Sequence, residues 1–284
     1  MRRRNFSSVC MILPLYLFTI IFVAGPLLYM VALSFATANE VHGVDWNFTL
    51  DNYRRILEPV YLNTVAESFQ LALTSTAVIC LVGYPFGYLM AKLSDGGKKK
   101  AMLFLMLPFW VNSLIRLYGW IIILQNKGVL NYILKKAGII EKPLKLLYSY
   151  PAVVVGMVYV LLPFMILSVY SSAEKLDWQL LEAARDLGAS RWNAFWTVAF
   201  PLTIPGLLSG VILTFIPSMG LFFIADILGG NKIVLVGSLI QEQMTRVGDW
   251  PFAAALAVIM MVLTSLMIAL YKKITNVKEL EGIG

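Results

Sequence analysis

The sequence is poor in the residues that carry most metal and nucleophilic chemistry. Its 284 residues include one histidine, His42, and two cysteines, Cys10 and Cys80. His42 has no cysteine or carboxylate at a metal-ligand spacing, so we expect a surface residue and no metal site. Both cysteines lie inside apolar runs, which predicts reduced core thiols. No Ser-His-Asp or Cys-His set is complete, which argues against an enzyme.

A loop for binding nucleotide phosphates is also missing. Gly96-Gly97-Lys98 is followed by Lys99 where a P-loop has serine or threonine, and the earlier glycine is absent. We therefore expect this chain to bind no ATP and no other cofactor. Any step driven by ATP would need a separate subunit.

Charged residues are scarce. Only 14% of the chain is charged and 59% is hydrophobic, whereas about a quarter of a soluble domain is charged. The net charge of +7 does not indicate nucleic-acid binding, because the basic residues stand at the ends of apolar runs. We expect most of the chain to lie in a lipid bilayer.

Six apolar runs reach the ~20 residues that a membrane-spanning helix needs. The first run is too long for a cleaved signal peptide and lacks a clear cleavage site. The prediction is an all-α membrane protein in which residues 1–284 form one domain. The predicted spans are 10–35, 69–93, 102–124, 152–170, 202–228 and 252–271.

The distribution of basic residues predicts the orientation. With the N-terminus inside, 13 of the 23 lysines and arginines face the cytoplasm and 9 lie outside. The signal is clearest at Arg2-Arg3-Arg4, Lys98–Lys100 and Lys272-Lys273, which stand against span ends. It is weakest at Lys127–Lys145, a basic segment placed outside. Both termini and the segment 177–201 are predicted to be cytoplasmic.

The polar segment 177–201 reads as two short helices joined by a glycine. Asp177 can cap the first helix, and Gly188 can end it in a left-handed conformation. Ser190 can cap the second helix, which should stop or bend at Pro201. The local pattern fits a hairpin that docks into another protein, and it also fits an ordinary cytoplasmic loop.

Other features predict local structure outside this segment. Gly83-x-x-x-Gly87 and Gly206-x-x-x-Gly210 offer close contact between helices, although membrane helices are generally rich in glycine. Prolines recur in or near the spans and predict kinks. Short helices are expected in the outer segments at Asp51–Leu57, Val129–Ala137 and Val236–Arg246.

Two charged residues stand at membrane depth, where charge costs about 2.5 to 3.5 kcal/mol and indicates function. They are Arg116 in the third span and Asp226 near the end of the fifth. Asp226 shares a helix face with Phe222, and Trp110 and Tyr118 lie in the third span. A carboxylate beside aromatic rings suits an organic cation. The alternatives are an Arg116–Asp226 ion pair that fixes packing, and an interfacial aromatic belt.

The segment 177–201 also carries a resemblance. It resembles the EAA loop of ABC-importer permeases, whose coupling helices sit in a groove of the ATP-hydrolysing subunit. This resemblance implies the six-span type I (MetI-like) permease fold. It also assigns transmission of the ATP-driven motion to four residues. The matching positions are Glu182, Ala183, Ala184 and Gly188, followed by Phe195 and Pro201.

The resemblance extends along nearly the whole chain to B-type permeases of spermidine/putrescine importers. It implies a bacterial inner-membrane location, a second related permease and an external polyamine-binding protein. It also implies two ATPase copies that hold ATP and Mg²⁺. The motifs are 49–53 (TLDNY), 108–110 (PFW), 112–116 (NSLIR), 161–164 (LLPF), 219–222 (MGLF) and 249–252 (DWPF).

Three alternatives remain open. The first is an importer of another organic cation, a metal complex or an oxyanion, although an anion importer should line its path with basic residues instead of Asp226. The second is a transporter driven by an ion gradient, which often shows an inverted repeat; none is clear here, and Glu182 would have no role. The third is a membrane enzyme, for which the catalytic sets are missing.

Overall fold

The computed structural model describes residues 6–39, 43–230 and 232–275. Within them one short antiparallel pair joins β1 (Thr37–Ala38) to β2 (Val44–Asp45), and the other regular elements are helices. The predictions for Arg2-Arg3-Arg4, His42 and the two chain ends lie outside the described residues, as does the side chain of Cys10.

The helices follow the predicted pattern of long spans and short connecting helices. In the first half they are α1 (Phe6–Thr19), α2 (Gly25–Leu33), α3 (Asp51–Ile56), α4 (Pro59–Ala91), α5 (Asp95–Met106), α6 (Ser113–Leu124) and α7 (Val129–Lys136). In the second half they are α8 (Tyr150–Glu174), α9 (Gln179–Asp186), α10 (Arg191–Ala194), α11 (Phe200–Gly220), α12 (Phe222–Gly229), α13 (Val236–Glu242) and α14 (Trp250–Thr275).

Five of these stretches are long and apolar enough to cross a membrane, and a bent pair of helices supplies a sixth. The all-α, six-span class is therefore consistent with the structure. The short helices expected outside the spans are present as α3, α7 and α13. The candidate spans are Leu13–Leu33, Pro59–Ala91, Tyr150–Glu174, Arg191–Gly220 and Trp250–Lys273, with the pair Asp95–Trp110 and Ser113–Lys136.

The third predicted span, 102–124, is not one straight helix. The two helices of the pair meet at an angle of 92°. Pro108 lies in a 3₁₀ turn, Leu107–Trp110, after α5, where its ring and missing N–H disfavour a continuing α-helix. Asn112 then starts α6, because its side-chain oxygen accepts a hydrogen bond from the Leu114 N–H at 2.8 Å.

The fifth predicted span, 202–228, is also divided. Its α-helix ends at Gly220, and Leu221 leaves helical geometry with φ −78° and ψ 58°. Phe222 then begins the separate helix α12. The two ligand-path candidates Phe222 and Asp226 therefore lie on a short helix after the span.

The chain packs as two compact units. The first contains the described residues up to Leu62 together with Leu239–Thr264. The second contains Asn63–Ser238 and the described residues from Ser265. The helices α4, α13 and α14 each contribute residues to both units.

In the second unit, α8 is the most enclosed span, and α4 and α11 pack against it. At Gly87 of α4 a β-carbon would lie 2.8 Å from the Ile166 carbonyl oxygen. At Gly206 of α11 it would lie 2.8 Å from the Ser168 carbonyl oxygen. Both glycines belong to the predicted small-residue pairs, so the expectation of close helix contact is confirmed.

In the first unit, α3 is fastened to the end of α2. The buried Asn52 side chain donates hydrogen bonds to the carbonyl oxygens of Ser34 and Ala36 at 3.0 and 2.9 Å. The Tyr53 hydroxyl lies 2.7 Å from Ser34 Oγ. These bonds give partners to backbone carbonyl groups that follow the end of α2. They also fix α3 against that end.

Candidate functional site

The segment 177–201 forms the predicted hairpin, which we call the coupling hairpin. Asp177 Oδ1 accepts a hydrogen bond from the Gln179 N–H at 3.0 Å, at the start of α9. The Ser190 hydroxyl accepts one from the Asn193 N–H at 3.1 Å, at the start of α10. The predicted cap at Ser190 is confirmed, whereas the N-cap position of α9 is held by Trp178, one residue after Asp177. Each bond still satisfies a backbone donor that a helix start leaves free.

Gly188 ends α9 as predicted. Its φ is +93°, and nothing lies within 4 Å of where a β-carbon would be. The Ala189 N–H donates to the Ala184 carbonyl at 3.0 Å, and the Gly188 N–H donates to Arg185 at 2.9 Å. These two bonds form a Schellman end. Glycine is therefore required here by backbone conformation and not by crowding.

The second helix of the hairpin does not stop at Pro201. Arg191–Gly220 is a single helical stretch of 30 residues. A π-helical turn, Phe195–Ala199, precedes the proline, and the Phe200 N–H bonds to the Phe195 carbonyl. The wider turn changes the hydrogen-bond register before the residue that lacks an N–H. The hairpin is thereby continuous with the span α11.

The family positions of the hairpin face outward. Glu182, Ala183 and Gly188 are exposed, and Ala184 is half-buried. Leu187, which sequence reasoning missed, is 90% exposed at the turn. Its side chain therefore adds an apolar group to the exposed surface of the hairpin.

An aromatic cluster fixes the base of the hairpin to α4. Lys92 Nζ lies 4.5 Å from the ring centre of Tyr88 and 5.2 Å from that of Trp178. The Tyr84 hydroxyl lies 2.7 Å from Thr203 Oγ1. A pocket of about 370 Å³ opens here, lined by Tyr88, Lys92, Trp178, Leu181, Glu182, Arg185, Arg191, Ala194 and Phe195.

Sequence reasoning missed this cluster as well. Tyr84, Tyr88 and Lys92 recur every four residues, a spacing that places them on one helix face. That spacing was the available signal on α4. Nothing in the sequence indicates that Trp178 meets the same face, because 85 residues lie between Lys92 and Trp178.

The two aromatic path candidates lie on either side of the helix break. Trp110 ends the 3₁₀ turn and is 77% exposed. Tyr118 is in α6 and is 59% exposed. Such open rings are available to a ligand or to another membrane subunit.

Arg116 is held by aromatic rings. Its guanidinium carbon lies 5.6 Å from the ring centre of Phe109 and 5.4 Å from that of Tyr159. Its Nε is buried and has no hydrogen-bond partner in the part of the chain that the structure describes. The site therefore gives cation–π contact without a counter-charge.

Asp226 is half-buried on α12, and Ser238 Oγ donates a hydrogen bond to its Oδ1 at 3.1 Å. No ion pair between Asp226 and Arg116 occurs among the described residues. The alternative of a structural Arg116–Asp226 pair is wrong for this structure. Asp226 lies on α12 and contacts Ser238 of α13. Arg116 lies on α6 and contacts Tyr159 of α8.

The four path candidates are not joined into one site. Over residues 6–39, 43–230 and 232–275, no hydrogen bond, ion pair or ring contact links Asp226 or Phe222 to Trp110 or Tyr118. The Phe222 ring instead meets Phe223, with ring centres 6.4 Å apart. In the same ranges no group of histidine, cysteine and carboxylate side chains is placed to hold a metal ion.

A closed charge pair occurs in the first unit. Arg55 Nη1 lies 2.7 Å from Asp249 Oδ2, and the guanidinium lies 4.0 Å above the Phe252 ring. Asp249 Oδ1 also accepts the Phe252 N–H at 3.1 Å, at the start of α14. Burial lowers the pKa of Arg55, but hydrogen bonds and charge from Asp249 and Tyr61 outweigh burial and raise the pKa above its usual value.

Comparison with known proteins gives closely similar curated relatives. The chain is 41% identical over 268 residues to the spermidine/putrescine transport system permease protein PotB of Salmonella typhimurium (strain LT2), with 92% of this chain and 93% of that protein covered. It is 43% identical over 252 residues to the PotB protein of Escherichia coli (strain K12), covering 89% and 92%.

Solved structures give the fold. A bacterial alginate ABC transporter, solved with an alginate pentasaccharide-bound periplasmic protein, has a chain that matches with a TM-score of 0.74 at 16% identity, covering 96% of this chain and 95% of that one. A chain of the MetNI methionine ABC transporter in an inward-facing form matches with a TM-score of 0.56 at 18% identity, covering 77% and 97%. At such identity the likeness concerns fold alone.

A family model matches residues 83–276, which include the coupling hairpin and its aromatic base. Its description is the binding-protein-dependent transport system inner membrane component. The predicted family resemblance, the predicted fold class and the predicted non-enzymatic transport role agree with these findings. The chain therefore belongs to this family, as a multi-pass inner-membrane permease with the type I ABC-importer fold.

Proposed function

We propose that this permease carries spermidine and putrescine across the bacterial inner membrane as part of an ATP-driven importer. The observation that carries the proposal is its 41% and 43% identity to two proteins named as spermidine/putrescine transport system permeases. The similarity covers about nine-tenths of the chain, and the family match over residues 83–276 includes the hairpin.

The working complex contains a second homologous permease, two copies of an ABC ATPase and an extracytoplasmic polyamine-binding protein. ATP and Mg²⁺ are held by the ATPase subunits. The exposed hairpin supports this assignment, because Glu182, Ala183 and Leu187 present a small, ordered surface. A groove in the ATPase would cover that surface and bury Leu187.

The coupling hairpin transmits the ATPase motion along two physical connections. One is the unbroken helix from Arg191 to Gly220, which joins the hairpin directly to the fifth span. The other is the Lys92 contact with Tyr88 and Trp178, which joins the hairpin base to α4. Movement of α9 therefore reaches two spans, as alternating access requires.

The substrate path in this subunit uses Asp226 and Phe222 on α12 and Trp110 and Tyr118 near the helix break. The carboxylate attracts an ammonium group, and each ring adds cation–π attraction of about 0.5 to 2 kcal/mol. The separate positions of these groups match a long, flexible polycation that is passed between several weak contacts. They do not form one enclosed cage in this chain alone.

Both termini and the coupling hairpin face the cytoplasm in this proposal. A reporter that is active only in the cytoplasm should be active when fused after Lys100, after Arg191 or at the C-terminus. It should be silent after Glu40 and after Lys142. Activity after Lys142 would overturn the orientation, and this fusion is the strictest test because its segment is basic.

The substrate is tested with the whole complex in proteoliposomes. ATP hydrolysis should rise when the binding protein is loaded with spermidine or putrescine, and it should stay basal with the empty binding protein or with sulfate. Stimulation by sulfate and not by polyamines would overturn the polyamine assignment while leaving the family assignment intact. The Gly188→Val variant serves as an uncoupled control for the hydrolysis signal.

A further inference from the structure

Arg116 is a cation whose surroundings do not neutralise it. The described ion pairs do not include Arg116, and its buried Nε has no partner there. An unneutralised charge at membrane depth costs about 2.5 to 3.5 kcal/mol. Two cation–π contacts at 5.4 and 5.6 Å offset that cost by about 0.5 to 2 kcal/mol each. The guanidinium is thus held by aromatic rings, without a counter-charge among the described residues.

The rings around Arg116 are themselves firmly placed. Tyr159 meets Trp120 edge-on, with ring centres 5.7 Å apart. Phe109 meets Phe164 edge-on at 5.8 Å. Each ring of the inner pair is therefore supported by a second ring. We call Phe109 and Tyr159, with these two supports, the aromatic box.

The rings of the aromatic box are partly accessible as well as firmly placed. Phe109 and Tyr159 are both half-buried, so neither ring is sealed inside the helix packing. The Arg116 side chain is also half-buried and ends a flexible stem. Nothing on the described chain locks its guanidinium in place by a directed hydrogen bond, which Arg–carboxylate pairs provide.

We propose that the aromatic box is a binding site for an organic ammonium group, and that the Arg116 side chain occupies it when substrate is absent. An ammonium group of the transported polyamine displaces the guanidinium and takes the ring faces. The proposal rests on the proposed polyamine function for the identity of the cation. It adds a site in which the protein's own arginine competes with the substrate.

Competition has a measurable consequence. A ligand that binds only when a competing side chain has left is weakened by the fraction of time the site is free. If Arg116 fills the box about nine-tenths of the time, its removal strengthens binding about tenfold. A merely structural arginine would show no such gain, since its loss would leave the ring site unchanged or damaged.

The test uses the assembled importer in lipid nanodiscs, without the binding protein, titrated with putrescine by calorimetry. Arg116→Gln should bind putrescine about tenfold more tightly than the unaltered complex. Adding Tyr159→Leu to this variant should abolish the gain, while adding Tyr159→Phe should keep it. Lys127→Gln is the matched control, because it removes an exposed positive charge with no described ring contact and should leave the affinity unchanged.

Three results would overturn the proposal. Arg116→Gln could bind putrescine no more tightly than the unaltered complex. The gain could persist with Tyr159→Leu, which would place the site elsewhere. Arg116→Gln could prevent assembly while Arg116→Lys restores it, which would assign the charge to a carboxylate of the second permease.

The outcome is separable from the proposed function. Uptake of radiolabelled spermidine by the unaltered importer tests the function alone. Normal uptake with no affinity gain in Arg116→Gln rejects the aromatic box and keeps polyamine transport. A gain in putrescine affinity with no polyamine uptake by the unaltered importer rejects the transport assignment and keeps the box as an ammonium site.

Discussion

Arg55 in the first unit has a counter-charge, whereas Arg116 and Asp226 in the second unit have none among the described residues. Arg55 and Asp249 meet at 2.7 Å, and Phe252 lies under the guanidinium at 4.0 Å. In the second unit Arg116 has two rings and no described counter-ion, and Asp226 has a serine hydroxyl. Both units thus place an arginine on aromatic rings, but only one supplies the carboxylate.

This difference separates two uses of the same chemistry. A carboxylate that neutralises an arginine and also caps its own helix holds two distant chain segments together, as Asp249 does. A charge without a partner is costly in a folded protein and is available to a ligand. The closed pair therefore stabilises the architecture, and the open charges are the candidates that the proposed substrate path uses.

The largest expected effect is on the closed pair. Asp249→Asn keeps the oxygen that caps Phe252 but leaves Arg55 without its counter-charge. Breaking a buried pair costs about 3 to 5 kcal/mol. Because the Arg55 side chain is 38% exposed, we expect a loss of about 2 kcal/mol in the free energy of unfolding. Thermal denaturation of the purified complex should show a clearly lower midpoint.

The control for this experiment is the open arginine. Arg116→Gln removes a charge that no described carboxylate neutralises, so its midpoint should change by less than half as much as that of Asp249→Asn. Equal losses for the two variants would show that Arg116 is a structural charge like Arg55. The contrast between the two units would then fail.

The next test concerns the coupling hairpin, whose turn is fixed by backbone geometry instead of charge. Gly188→Val places a β-branched residue at φ +93°, which should cost the turn on the order of 1 kcal/mol or more. The chain should still insert in the membrane, while less ATPase should co-purify and transport should fall. Gly188→Asn, which tolerates the left-handed region better, should lose less. Normal ATPase recovery with Gly188→Val would reject the docking role.

The open carboxylate should affect uptake more than stability. Asp226→Asn keeps the shape and the acceptor for Ser238 but removes the charge. We expect polyamine uptake to fall about fivefold, corresponding to ~1 kcal/mol of lost attraction, while the complex assembles normally. Ser238→Ala keeps the charge and removes the hydrogen bond, so it should retain most uptake. Normal uptake by Asp226→Asn would exclude a ligand contact.

The smallest expected effect is the coupling between the two open charges. In a double-mutant cycle of Arg116→Gln and Asp226→Asn, the effects on thermal stability should add to within about 0.5 kcal/mol, as for independent sites. A parallel cycle of Arg55→Gln and Asp249→Asn should show clear coupling. If the Arg116–Asp226 double variant restored transport lost in Asp226→Asn, the two charges would be partners and the ligand contact of Asp226 would be refuted.

Local features of the fold could be read from the sequence. The coupling hairpin is the clearest case, because the cap at Ser190, the bond from Gln179 to Asp177 and the turn at Gly188 each depend on neighbours within five residues. The apolar runs identify the spans for a similar reason, since a stretch of about 20 apolar residues suits a bilayer whatever it packs against. Both kinds of feature depend on residues close together in the chain, so local patterns are sufficient to predict them.

The breaks were harder to predict, although their residues were visible. Pro108 and Asn112 stand inside an apolar run that remains long enough to cross a membrane. Hydropathy averages over this run and does not detect a bend of 92°. Leu221 similarly interrupts the fifth run with an ordinary apolar residue. A proline predicts a kink at Pro108, but the size of that bend and the break at Leu221 depend on backbone angles that composition does not specify.

The sequence by itself determined the membrane class and the hairpin. Only the tertiary structure decided how the charges are partnered: Arg55 with Asp249 across 194 residues, Arg116 with rings, and Asp226 with Ser238. The physical reason is the distance along the chain over which each interaction acts. Caps, turns and lipid burial are local free energies, whereas a charge selects its partner from every helix that folding brings within a few ångströms.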